Sequence, residues 1–171
     1  MTISDVVTEL FPVVSEDGTR IGAAPRASCH ADPTLIHPSV HVIVTTAEGV
    51  LWQLRGHRKD TAASTWDHAC TGHVGIAEEP AAAAVREIDE ELGLHVRGDE
   101  LEWVTQVVVR MPHETELTTV FKLHHEGPFT LRLPELAGLA VLPGGRRPAP
   151  LAPSCAILCD ELDTAYPGWD A

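Results

Sequence analysis

Cysteine is scarce in this chain. Its four copies in 171 residues, Cys29, Cys70, Cys155 and Cys159, are too few for a disulfide scaffold, and no Cys-x-x-Cys pair of the zinc-ribbon kind is present. Cys155 and Cys159 stand four apart, the spacing of one helix face, and are expected in the core. Positive charge is also thin: 12 basic residues against 25 acidic give a net charge of −13. With no local basic patch, a nucleic-acid polymer would be repelled. No apolar run approaches the ~18 residues that span a bilayer, and the opening MTISDVVTEL lacks the basic-then-apolar pattern of a secretory leader. A cytoplasmic protein without a membrane partner is the expectation.

What is present describes a folded unit. The 44% hydrophobic and 22% charged content is that of soluble globular domains, and a chain of this length buries roughly two thirds of its unfolded surface. One domain over 1–171 is expected. Residues 10–23 read as a hairpin turning at Asp17-Gly18, and 24–38 as irregular. VHVIVTTAEGVLWQLRG gives two β-branched strands joined at Glu48-Gly49, and WDHACTGHV gives another. A helix is predicted from Pro80 to Leu92, with proline in the first turn, four alanines and Gly93 as a left-handed cap. ELEWVTQVVVR and ELTTVFKLHH are further strands, with Trp103 and Phe121 assigned to the core. The segment 143–171 reads as a Pro/Gly-rich connection and a last helix near Ser154–Thr164. Strands outnumber helices without regular alternation, which points to an α/β sandwich on a mixed sheet.

The acids are unevenly placed. Six of them lie between Glu78 and Glu91 against the single Arg86. On a helix Glu87, Glu90, Glu91 and Leu94 fall at i, i+3, i+4 and i+7, so three carboxylates share one stripe. Such pairs repel by a few tenths of a kcal/mol each, and they sit where the helix macrodipole disfavours anions. A solvated acidic face is the plain alternative; the chemical one is Mg²⁺, which takes oxygen ligands from a few carboxylates together with substrate phosphates.

The stretch GHVGIAEEPAAAAVREIDEELGL, residues 72–94, decides between these. Gly72, Glu78, Arg86, Glu87, Ile88, Glu90, Glu91, Gly93 and Leu94 fit the Nudix signature position by position. The resemblance implies a Nudix-type α/β/α sandwich with one metal-binding box helix. It also implies Mg²⁺-dependent hydrolysis, with Mn²⁺ as a substitute, of a small phosphorylated substrate built on a nucleoside diphosphate. Glu87, Glu90 and Glu91 would hold the ions, a backbone carbonyl near Gly72 would join them, and Glu90 or a carboxylate outside the box would be general base. Arg86 would orient a box glutamate with Glu78 as its loop partner, while Gly72 and Gly75 would let the loop turn tightly.

A second set is more dispersed. His30, His37, His73, Glu114 and Glu116 combine imidazole and carboxylate, ligands that suit Zn²⁺ or Mn²⁺, with surface histidines as the plain alternative. Their spacing resembles the metal site of isopentenyl diphosphate isomerases, a branch of the same superfamily. In that branch a catalytic cysteine directly precedes the Gly-His pair; here Thr71 does, and Cys70 is one place earlier, which on a strand is the opposite face. The complete box speaks for hydrolysis, with Glu114 or Glu116 as added ligand or base. Isomerisation and a non-catalytic nucleotide-binding module are the alternatives. Trp52 and Trp66 flank the densest basic group, Arg55, Arg58 and Lys59, which suits a phosphate or base ring.

Overall fold

The computed structural model describes residues 9–59, 61–131 and 133–170; positions 1–8, part of the segment searched for a leader, lie outside the described residues. Five strands form the path of the main sheet in the order β5-β4-β3-β8-β7: β3 (Ile36–Thr46), β4 (Gly49–Arg55), β5 (Trp66–His68), β7 (Glu102–Arg110) and β8 (Thr115–His124). Two more strands join it, β6 (Cys70–His73) on β3 and β9 (Leu136–Leu142) on β4. The β3–β8 pair is parallel over ten residues, from Ile36 opposite Thr115 to Thr45 opposite His124, and the other pairings are antiparallel. The sheet is therefore mixed. A separate hairpin of β1 (Leu10–Val14) and β2 (Arg20–Pro25) precedes it, with Gly18 at φ 84° in the turn, and a helical turn α1 (Arg26–Cys29) follows within the stretch read as irregular.

Alternation along β3 sends its two faces to two cores. Val40, Val42 and Val44 pack with Leu51, Cys70, Ala83, Ala84, Ile88 and Leu92 under helix α2 (Pro80–Glu87) and its continuation. Ile43 joins Val50, Trp52, Val109 and Val120 against helix α3 (Pro153–Ala165) on the other side. Helices thus cover both faces of the sheet, the α/β/α sandwich. Small alanines at 83 and 84 let α2 approach the sheet closely, and Pro80 occupies its first turn without losing a needed N–H.

Three expectations are corrected. The predicted helix is α-helical only to Glu87 and closes as a π turn over Ile88–Leu92, with Gly93 at φ 67° capping it. Strand β9 lies in a segment that carried no strand signal, and it forms by pairing with β4 from Val50–Leu142 to Arg55–Leu136. Trp103 is exposed, because β7 is the edge of the path and its outer residues face solvent. Phe121, Cys155 and Cys159 are buried.

One departure from a regular sheet builds the site. β4 pairs with β3 only from Gly49 to Leu51 and then pairs with β5 from Trp52 to Leu54. The two central strands splay, and the segment 66–73 fills the fork, with β6 returning to β3 at Ser39–Val42. Polar residues of β3 and β6 therefore stand at the mouth of the fork, above two apolar cores.

Candidate functional site

A single pocket at this end of the sheet is lined by Glu87, Glu90, Glu91, Gly72, Gly75, Glu78, Arg86, His30, His73, Glu114, Glu116, Arg55, Arg58 and Lys59. His37 lies behind it, fully buried. The sequence-selected residues thus gather in one place although they come from six segments of the chain.

Arg86 ties the box together. Its guanidinium donates to both Glu78 oxygens at 2.9 and 3.0 Å, to Glu87 at 2.6 Å, to Glu90 at 3.3 Å and to the His73 carbonyl at 3.0 Å. These bonds hold the Glu78 carboxyl below its ordinary range, and Glu78 in turn accepts from the Gly75 N–H at 2.8 Å. The loop 75–78 is consequently fastened to the helix by ionic hydrogen bonds, which are roughly twice as strong as neutral ones.

The three box glutamates differ in setting. Glu87 at the end of α2 is half-buried and Glu91 in the π turn is buried, both against the sheet, whereas the Glu90 side chain is 58% exposed. Glu91 accepts hydrogen bonds from the Thr71 N–H at 3.1 Å and from Gln53 Nε2 at 3.2 Å. Burial pushes its carboxyl up to about 8, with Glu87 adding to the rise, and pushes that of Glu87 up to about 7. Gly72 lies in β6 rather than in a tight loop. A Cβ there would lie 2.1 Å from Glu87 Oε1, so the bare backbone is what admits this carboxylate.

The second set sits on the opposite side of β6. His30 Nε2 is 3.4 Å from His73 Nε2 and 3.5 Å from Glu114 Oε2, while Glu116 Oε1 is 3.7 Å from His73 Nε2 and 3.9 Å from His37 Nε2. Phe11 of the hairpin stacks on His73 at 4.3 Å and on His37 at 5.4 Å, closing the cluster from above. Burial holds His73 well below the imidazole range and His37 down to about 4, so both rings are neutral at neutral pH, the form in which an imidazole can ligate a metal. Burial, and then Glu114, pushes Glu116 up to about 7.

Both groups fit divalent cations. Carboxylates are packed here against a desolvation cost that a 2+ charge would cancel, and buried His37 Nε2 makes no hydrogen bond. Glu87, Glu90 and Glu91 offer only oxygens, as Mg²⁺ prefers; the His/Glu set suits Zn²⁺ or Mn²⁺.

The basic residues are less free than their positions suggest. Arg55 donates to Asp67 at 3.2 Å and to the Thr61 carbonyl at 3.1 Å, and Lys59 to Glu135 at 3.1 Å. Trp52 is fully buried beneath the sheet. Buried His41, Asp67 and His68, which escaped the sequence analysis, form a chain from the pocket inward. The available signal was the polar alternation His37, Ser39, His41 inside an apolar strand.

Comparison with known proteins places this geometry. A stretch of 97 residues, 55% of this chain, is 35% identical to Nudix hydrolase 3 of Arabidopsis thaliana, and covers 12% of that protein. Another of 86 residues, 50% of the chain, is 36% identical to an isopentenyl-diphosphate Delta-isomerase of Streptomyces griseus and covers 44% of it. The chain thus matches less than half the length of either relative. In fold it is similar to a MutT Nudix hydrolase of Burkholderia pseudomallei, with a TM-score of 0.64 and 19% identity over 74% of this chain and 98% of that one. The NUDIX domain model matches residues 35–143, which take in the central strands β3 to β8, the box helix and β9. A match over more than half the chain, on a carboxylate-bearing helix against a mixed sheet, makes the protein a member of the Nudix superfamily.

Proposed function

We propose that the protein is a cytoplasmic, divalent-metal-dependent hydrolase that cleaves a phosphoanhydride bond in a small nucleotide, a nucleoside 5′-di- or triphosphate. One observation carries this reading: the complete carboxylate trio Glu87, Glu90 and Glu91, braced by Arg86 and Glu78, faces the same pocket as the His/Glu set. Bound cations would neutralise the polyphosphate and acidify an attacking water. Glu87 and Glu91 would hold the cations from the sheet side, as carboxylates that give up their protons to the metal. Glu90, open to the pocket and steadied by Arg86, is placed to take a proton from water, with Glu116 as the alternative base across β6. Arg58 and Lys59 at the rim supply positive charge toward a phosphate tail. A protein of net charge −13 admits such a substrate only with cations between them, so activity requires metal.

A second reading, isopentenyl diphosphate isomerisation, draws support from the assembled His30, His37, His73, Glu114 and Glu116 and from the Streptomyces relative. The position of sulfur weighs against it. Thr71 stands at the pocket before Gly72-His73, whereas Cys70 is fully buried among Val40, Val42 and Ala84, where no substrate reaches it. The deciding experiment is a panel of nucleoside di- and triphosphates, nucleotide sugars, dinucleoside polyphosphates and isopentenyl diphosphate with Mg²⁺ or Mn²⁺. Phosphate release and double-bond migration are both recorded. Metal-dependent phosphate release from a nucleotide supports hydrolysis; migration without release reverses the ranking.

A further inference from the structure

Behind the pocket lies a group of side chains that neither reading uses. His68 of β5 and the thiols of Cys155 and Cys159 on α3 are each fully buried, and their ligand atoms all lie within 4.8 Å of one another. We propose that His68, Cys155 and Cys159 bind a thiophilic divalent cation of the zinc type, which fastens the last helix to the sheet.

The geometry is that of a site drawn slightly open. A metal bound tetrahedrally to imidazole nitrogen at about 2.0 Å and to sulfur at about 2.3 Å, with an angle near 109°, sets nitrogen and sulfur about 3.5 Å apart. His68 Nε2 is 3.7 Å from Cys159 Sγ. Cys155 stands one helical turn earlier and presents its sulfur to the same point. The ring is also oriented from behind: His68 Nδ1 is 3.0 Å from His41 Nδ1, so the far nitrogen is held while Nε2 faces the sulfurs. Metal-bound imidazoles are commonly fixed in this way, by a hydrogen bond at the other ring nitrogen. Trp52 stacks on His68 at 5.7 Å and Trp169 meets it edge-on at 5.8 Å, so two indoles flank the ring.

Charge selects the ion. Two thiolates, a neutral imidazole and a divalent cation sum to zero, the state that a buried site tolerates; a monovalent ion would leave one negative charge buried. On binding, the two thiol protons leave to water and two metal–sulfur bonds form. Catalysis by these thiols is excluded by their burial, since no substrate touches them. The chamber is closed by the C-terminal segment, where Trp169 donates to Asp163 at 2.9 Å and the Gly145 N–H donates to Asp170 at 2.8 Å. The ion is therefore expected to enter during folding.

The test uses the full chain, reduced, stripped of metal in denaturant and refolded with or without Cd²⁺. The expected result is a thiolate-to-cadmium absorption band equivalent to one ion per chain, and a raised Tm. The Cys155→Ala/Cys159→Ala variant loses the band and shows a smaller Tm rise, and Glu87→Gln keeps the band. His41→Gln, which removes the ring that holds His68 Nδ1, weakens Cd²⁺ binding by about 10- to 100-fold. If the double variant does not fold, His68→Asn, which leaves both thiols in place, serves for the comparison and binds Cd²⁺ at least about 10-fold more weakly. A wild-type protein without the band, a band surviving in the Cys155→Ala/Cys159→Ala variant, or a Cys155–Cys159 disulfide in the reduced preparation overturns the proposal.

Discussion

Replacing Gly72 by alanine tests the site at its tightest point. The added Cβ would lie 2.1 Å from Glu87 Oε1 and 2.2 Å from its carboxyl carbon. Non-bonded heavy atoms settle at about 3.5 Å, so the carboxylate must withdraw by more than about 1 Å. Because the obstacle is the end of a flexible side chain, the backbone of β6 stays and Glu87 moves. Withdrawal strains its 2.6 Å bond from Arg86, but it also relieves a burial that pushes this carboxyl up to about 7. The two effects oppose each other, and stability should change by no more than about 1 kcal/mol. Function should not be spared: a misplacement of about 1 Å in a catalytic constellation costs on the order of 10²-fold in rate. Thermal unfolding, Mn²⁺ affinity by titration and kcat on the best substrate of the panel give three independent readouts. Tm should hold while affinity and kcat fall together. Adding Glu87→Asp, one methylene shorter, should recover part of the loss in a double-mutant cycle. Affinity and rate within twofold of wild type in Gly72→Ala would refute the argument that this carboxylate needs the bare backbone.

Further perturbations bear on other parts of the structure. Glu91→Gln keeps an acceptor for Thr71 N–H and loses the charge, so kcat should fall roughly 10²- to 10³-fold with a folded circular dichroism spectrum; Glu90→Gln should fall likewise, and near-normal turnover in either removes that residue from the site. In metal-free protein Glu87, Glu91 and Glu116 have folded pKa values raised to about 7, 8 and 7, so the native state binds more protons than the unfolded chain and is stabilised at low pH. That contribution is lost as pH rises through these values, by about 3 kcal/mol between pH 6.5 and 8. The buried His37 and His41, lowered to about 4 and 3, act oppositely and only below about pH 6.5. Denaturant melts with chelator should thus weaken toward pH 8, and Mn²⁺ should cancel the slope; a flat profile contradicts the assigned burial. Gly93→Ala, at φ 67°, should cost about 1 kcal/mol and lower Tm by about 2–4 °C, leaving metal affinity unchanged.

Much of this was legible in the sequence, and what was not has a physical reason. The hairpins at Asp17-Gly18 and Glu48-Gly49, and the helix ending at Gly93, announce themselves through local turn and cap chemistry. Strand β9 does not, because Leu136–Leu142 is extended only by virtue of the β4 edge it pairs with. The carboxylate stripe came from helical spacing, yet the π turn that separates exposed Glu90 from buried Glu91 depends on how Ile88 and Leu92 seat in the core. Asp67 and His68 were passed over because a buried polar residue in a short strand gives no periodic signal until its partners, Arg55, His41 and Cys159, are seen in space.

The fork between β3 and β4 makes two neighbouring peptide units answer for two chemistries. Gly72 turns its empty side to the glutamates and His73 its ring to the imidazoles, a separation dictated by the pleat of the main chain rather than by any rotamer. Such a ruler does not relax when side chains do. Lengthening or shortening the 69–73 segment by a single residue would exchange the two faces and dismantle both clusters at once, whereas point changes around it can retune either one alone.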